Sequence, residues 1–196
     1  MPGLTDVLRS AKDPDDAAWK QVAERKAKGR LTNLTRNGDF SKADADKTLL
    51  ADWESWQDDS STGTFSRNST MRGGVANATR VKNGGMMQWH TVETGQKYAL
   101  QALCKVEGAA RANVVVRWKT DKGDWVRWDE GVALTAEQGV DGARYSGVVT
   151  VPKNAQRMVI LLSVSQQTGA KDACWFDDVE LYAVPAVSFP DEMVRR

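Results

Sequence analysis

Cysteine and histidine are scarce in this 196-residue chain: two cysteines, Cys104 and Cys174, and a single histidine, His90. Two cysteines exclude a disulfide-dense scaffold and any zinc or iron–sulfur centre built from cysteine, and they allow one bridge at most. A lone histidine removes histidine-based metal clusters and most triad chemistry. Excess charge is missing too: 27 Lys and Arg against 26 Asp and Glu leave a formal charge of +1. A balance of that kind lacks the electrostatic footprint of a nucleic-acid or anionic-membrane binder. No apolar run approaches the roughly 20 residues of a membrane span, and the opening MPGLTDVLRS lacks the apolar stretch of a signal peptide. The expectation is a soluble chain that carries no export address of its own. Also absent are a glycine-rich phosphate loop, a histidine-containing zinc motif and a nucleophile elbow. The acidic pairs Asp58-Asp59 and Asp177-Asp178 are sequence neighbours, not two carboxylates facing across a cleft.

Tryptophan is the surplus: eight Trp stand against three Tyr and four Phe. Flat amphipathic rings in that number serve either as core filler or as a binding surface. The length suits one domain with a sizeable core.

The first thirty residues differ from the rest. Leu4, Val7 and Leu8 have helical spacing, and Asp13-Pro14 offers an N-cap and a first-turn proline ahead of a helix from about 14 to 28. Trp19, Val22, Ala23 and Ala27 form its apolar stripe, with Gly29 at the C′ position. The stripe packs on the sheet region or on a neighbour upstream, and the segment reads as excised from a longer protein.

From Leu31 onward, period-2 alternation and β-branched residues alternate with Gly, Asn and Asp clusters at intervals of about 8–15 residues. The predicted strands are Leu31 to Leu34, Phe65 to Thr70, Val75 to Val81, Gly85 to Val92, Lys97 to Glu107, Asn113 to Lys119, Asp124 to Ala133, Gly142 to Val151, Arg157 to Ser165 and Ala173 to Val184. Asn83-Gly84-Gly85, Thr94-Gly95-Gln96, Thr120-Asp121-Lys122-Gly123 and Asp141-Gly142 read as turns. The predicted fold is all-β: a two-sheet antiparallel β-sandwich with a short N-terminal helical extension. Its parts would be 1–30 (helical segment), 31–184 (sandwich) and 185–196 (tail).

Strand parity separates core from surface. Tyr98, Leu100, Ala102, Cys104 and Val106 share one face; so do Val114, Val116 and Trp118, and so do Met158, Ile160, Leu162 and Val164. The opposite faces carry Gln101, Lys105, Arg117, Lys119, Ser163 and Ser165, which would form the polar floor of a groove. Arg and Lys there would suit acidic sugars, since a guanidinium pairs with carboxylate or sulfate in a fork; a plain solvated face is the alternative.

Asn33-Leu34-Thr35-Arg36-Asn37-Gly38-Asp39-Phe40, Trp53, the segment Gln88 to Tyr98, Val151-Pro152 and the closing Phe176-Asp177-Asp178-Val179-Glu180-Leu181-Tyr182 together resemble the jelly-roll carbohydrate-binding modules of families four, nine, sixteen and twenty-two, within the galactose-binding-domain-like superfold. The resemblance covers about Leu31 to Val184. It implies that the opening and closing motifs lie side by side, and that a calcium ion sits between them, remote from the sugar. Asp39, backbone carbonyls near Asn37 and Gly38, and Asp177 or Asp178 are the expected oxygen donors, and strand parity prefers Asp177. Ser41 stands where these modules often place an acidic residue. Similar helices often precede such modules in large secreted polysaccharide-degrading proteins, which implies an extracellular or periplasmic setting and a catalytic domain in the same parent chain.

Sugars offer C–H groups on one face and hydroxyls at the rim, so the signature to seek is an exposed indole beside polar side chains. Trp89 is the first candidate. Trp125 and Trp128 flank Val126-Arg127 on opposite parities, so at least one should be exposed, with Arg127 beside them. Trp56 stands near a loop rim; Gln101 and Arg117 belong to the groove floor. Trp53, Trp118 and Trp175 read as packing and His90 as a packed residue. The sequence therefore points to a non-catalytic module that binds polysaccharide or oligosaccharide. A structural spacer domain with its tryptophans buried against neighbours is the alternative, and a lyase or hydrolase on the same scaffold a third.

Overall fold

A computed structural model of the chain describes residues 12–43, 50–70, 74–127, 131–138 and 142–184, with the backbone alone for 12–16. One helix, α1 (Lys12–Ala27), precedes ten strands: β1 (Glu54–Gln57), β2 (Thr64–Asn68), β3 (Val75–Thr79), β4 (Asn83–Thr91), β5 (Lys97–Glu107), β6 (Arg111–Lys119), β7 (Val132–Thr135), β8 (Ala143–Thr150), β9 (Arg157–Ser165) and β10 (Ala173–Ala183). They form two five-stranded antiparallel sheets, β1-β4-β9-β6-β7 in front and β2-β3-β10-β5-β8 behind. The two-sheet sandwich expected from alternation is the fold observed.

The inward residues of both sheets make one core. Met86, Val114, Val116, Trp118, Met158, Ile160, Leu162 and Val164 from the front meet Leu100, Ala102, Cys104, Val106, Phe176 and Leu181 from the back. Every core side chain predicted by parity in β5, β6 and β9 is buried. Both cysteines are free and buried.

Several expectations are corrected. Leu31 to Leu34 is not a strand: Leu34 N–H donates to Leu181 O at 2.8 Å, but the next rung is made by a side chain, Asn33 Oδ1 accepting from Leu181 N–H at 2.9 Å. Asp124 to Ala133 is not one strand either, since Trp125 makes a single bridge to Lys119 and β7 begins at Val132. Asn83-Gly84-Gly85 lies inside β4 instead of turning. A Cβ on Gly84 would stand 2.6 Å from Trp56 O, so the glycine serves the close approach of β1.

Helix α1 lies on the outer face of the back sheet. Val22 and Ala18 are buried there with Ala99, Tyr182 and Val184, and Trp19, Leu31 and Val148 pack around them. Ala23 and Ala27, expected on the buried stripe, are exposed. Lys26 closes the contact through Glu180 at 2.7 Å and lies 5.5 Å above the Tyr182 ring. Gly29, at φ 63°, ends the helix: its N–H donates to Lys26 O and that of Arg30 to Arg25 O, a Schellman motif. The helix covers the part of the back sheet around Ala99, Val148 and Tyr182, and the outer face of the front sheet has no such cover among the described residues. The expected helix at Leu4 to Leu8, the turn residue Asp141 and the tail 185–196 lie outside the described residues.

Candidate functional site

The open front face is assembled by register. In β4, alternation sends Met86 and Gln88 inward and Met87, Trp89 and Thr91 outward; Gln88 is 1% exposed. Its side chain accepts from Arg36 N–H and donates to Arg36 O and Asp52 O, which satisfies a buried amide and ties the opening loop to the front sheet. On the outer side Trp89 stands opposite Val159, and Val159 opposite Arg117. In the next row Thr91, Arg157 and Lys119 line up in the same way.

The bridge between Lys119 and Trp125 then brings the Trp125 ring over this surface, with its centroid 5.9 Å from that of Trp89. Arg117 Cζ lies 4.2 Å and Lys119 Nζ 4.7 Å from the Trp125 centroid. Arg157 Cζ lies 4.8 Å and Lys119 Nζ 5.2 Å from that of Trp89. The result is a pair of indoles interleaved with three cations, each at cation–π distance. Trp125 is 49% exposed, Trp89 is half-buried, and Val159 beneath them is 2% exposed. Partial burial pushes the Arg117 pKa down. Farther along the same face, Trp56 on β1 pairs with Gly85 and is 37% exposed. Gly85 lies four residues before Trp89 on β4, about 13 Å away along the strand. Between the two ends run Met87, Leu161 and Val115.

Sequence reasoning thus finds Trp89, Trp125, Trp56 and Arg117 on one face. Arg127 is exposed just beyond Trp125, and Trp128 lies outside the described residues. Gln101 is a correction. It and Lys105 lie on β5 in the back sheet, where Gln101 donates to Glu180 beneath α1. Parity assigned Gln101 to an outward face without telling which of two outward faces it was. Arg157 was missed as a site residue, although it shares parity with the outward Val159.

Trp175 is corrected as well. Counted back from Val179 and Leu181, Trp175 and Asp177 should face the core. A bulge at Asp177–Asp178 resets the alternation, with Asp178 at φ 46°. Phe176 and Val179 are therefore the inward residues, while Trp175 and Asp177 pair with Lys105 and Leu103 on the outer side of the back sheet. Trp53 and Trp118 are core residues, at 9% and 1% exposure.

The opening and closing motifs do meet. Gly38 O accepts from Val179 N–H at 2.9 Å, and a Cβ on Gly38 would stand 2.0 Å from Val179 O. Asn37 O accepts from the Trp53 indole N–H at 3.2 Å, and Phe40, fully buried, packs on Trp53 with centroids 5.5 Å apart. Asn33, Thr35, Gly38, Asp39 and Asp178 line a depression of about 320 Å³ here. Its donor set suits a hard cation in kind: the carboxylates of Asp39 and Asp178, with that of Glu180 at the edge but held by Lys26 and Gln101, and the Thr35 hydroxyl, which is buried with no hydrogen-bond partner. Competition is also present. Asp39 accepts from Ser41 N–H and Oγ, Asp178 is paired with Arg144 at 2.9 Å, and Asp177 lies outside the depression, bonded to Asp178 N–H. No three His, Cys, Asp or Glu side chains converge as a metal cluster among the described residues.

No protein-family model matches the sequence, and no curated protein does. Solved structures do match, and they show a jelly-roll β-sandwich. A CBM4 module superposes with a TM-score of 0.53 at 21% identity over 76% of this chain and 98% of its own. The CBM22-1 xylan-binding domain of Paenibacillus barcinonensis Xyn10C gives 0.54 at 14% identity over 76% and 93%. The enzymatically active domain of bacteriophage CBA120 tailspike protein 4 gives 0.61 at 17% identity over 78% of this chain, which spans only 21% of that one. The architecture is thus that of carbohydrate-binding modules, and structures described as enzymatic contain it too.

Proposed function

We propose that the chain is a non-catalytic carbohydrate-binding module, and that the open front face is its glycan platform. The observation that carries this reading is on the front sheet's outer face, which α1 does not cover and which presents Trp125, Trp89 and Trp56 along one side, whereas α1 packs on part of the back sheet. Indoles there offer C–H stacking, and Arg117, Arg157 and Lys119 offer donors to hydroxyls at the sugar rim. The likeness to glycan-binding modules of similar length agrees with it. The module would hold a polysaccharide near a catalytic domain of an exported parent protein and raise its local concentration.

Affinity electrophoresis against neutral and acidic polysaccharides, with tryptophan fluorescence titration, tests the reading. The wild type should be retarded by at least one glycan, and Trp125→Ala should weaken retention by about tenfold or more. Silence across the panel would replace the module with the spacer reading.

A structural calcium ion belongs to the same proposal. Asp39, Asp178 and the Thr35 hydroxyl would hold it, stabilising the junction of the opening loop and β10 without touching the sugar. With two carboxylates and Arg144 competing, affinity should be weak, on the order of 10⁻⁴ to 10⁻³ M. Millimolar calcium should raise the melting temperature, and Asp39→Asn should abolish the rise.

A further inference from the structure

We infer, on the footing of the calcium reading above, that the docking of α1 and the binding of a divalent cation are antagonistic, because both draw on the carboxylate of Glu180. Three carboxylates border the depression between the opening loop and β10: Asp39, Asp178 and Glu180. Each already has a partner. Asp39 accepts from Ser41, and Asp178 is paired with Arg144 of β8 at 2.9 Å. Glu180 is held from the helix: Lys26 Nζ donates to its two oxygens at 2.7 and 2.8 Å, and Gln101 donates to it from β5. One side chain thus borders the depression and anchors α1.

Without Glu180 the depression is short of oxygen, since calcium takes about six to eight ligands. The side-chain oxygens of its two asparagines are already engaged: Asn33 Oδ1 accepts from Thr35 and Leu181 N–H, and Asn37 Oδ1 from Lys42 N–H. That leaves Asp39, Asp178 and the Thr35 hydroxyl, which at 6% exposure and with no hydrogen-bond partner has nothing to give up. Glu180 is the further carboxylate at the rim, but it is turned to Lys26, and the acidic side chains do not converge as a metal cluster among the described residues. A dication at this rim attracts Glu180 and repels the Lys26 ammonium, while Lys26 on Glu180 withholds it from the dication. Lys26 has a second resting place, because its Nζ lies 5.5 Å from the Tyr182 centroid. What then holds α1 is apolar and limited: Ala18 and Val22 are buried with Trp19 beside them, whereas Ala23 and Ala27 are exposed. With side chains 48% and 19% exposed, the Lys26–Glu180 pair is a modest tie, so the coupling is about threefold and equal in both directions.

The experiment titrates the full chain with calcium chloride in a calorimeter and follows α1 by hydrogen exchange of its backbone amides, read by mass spectrometry. Lys26→Gln should bind calcium about threefold more tightly than the wild type, whereas Lys20→Gln, which removes an exposed charge from the same helix, should bind as the wild type does. In the wild type, saturating calcium should speed exchange in α1 by about threefold. In Lys26→Gln that exchange should already be fast and should no longer respond to calcium. Unchanged affinity in Lys26→Gln, or α1 exchange that calcium slows or leaves unaltered in the wild type, overturns the antagonism and leaves the calcium reading standing. An equal gain in affinity from Lys20→Gln overturns it in favour of a plain effect of net charge. No heat of binding and no rise in melting temperature in any of the three proteins overturns both.

Discussion

Asn33 Oδ1 accepts the backbone N–H of Leu181 at 2.9 Å across 148 residues of sequence. The same oxygen accepts from Thr35 N–H at 3.0 Å, and Asn33 Nδ2 donates to Val179 O. One side-chain amide therefore replaces a rung of ladder between the opening loop and β10. Asn33→Ala would leave those backbone groups without their partner, and a loss of about 2 kcal/mol in denaturant stability is expected. Asn33→Asp keeps the acceptor and should recover part of it.

His90 gives the pH dependence. Burial, and secondarily the positive charge of Arg36, push its pKa down to about 4, and its Nε2 has no hydrogen-bond partner. In the unfolded chain the same imidazole takes a proton near pH 6.5. The stability held by neutral His90 is therefore fully present above about pH 6.5 and is lost as pH falls from there toward 4. Thermal melts of the wild type and His90→Phe over pH 7 to 4 should diverge across that window, with the variant showing the shallower decline. Parallel curves would remove His90 as a source of the slope.

The thiols should be silent. Burial pushes the Cys174 thiol up to about 12 and Cys104 higher still, so neither supplies thiolate at neutral pH. A thiol-specific reagent should find no reactive cysteine in the native protein and two after denaturation. A disulfide detected by mass spectrometry without reductant would contradict the free, buried pair.

Two tryptophans of one hairpin, Trp118 and Trp125, should behave in opposite ways. Trp118 fills the core at 1% exposure, and Trp118→Ala should cost about 4 kcal/mol. Trp125, at 49% exposure, should cost below about 1 kcal/mol when truncated, with the loss appearing in glycan retention instead. Comparable losses of stability would show Trp125 to be a structural residue.

The sequence by itself determined the alternation that makes β5, β6 and β9 and the residues that fill the core from them, because side-chain period and β-branching are local properties. That the two end motifs meet was implied only by the family resemblance. Only the tertiary structure decided which outward face a residue joins. Alternation has two phases but a sandwich has two outer faces, so Gln101 and Arg117 look alike in sequence and end on opposite sides of the molecule. The bulge at Asp177–Asp178 reversed the phase of Trp175 through one extra residue that no period reveals. Trp89, Trp125, Arg117 and Lys119 were legible one by one, but their convergence with Arg157 was not, because Trp89, Arg157 and the Lys119–Trp125 hairpin meet only when β4, β9 and β6 pair in register.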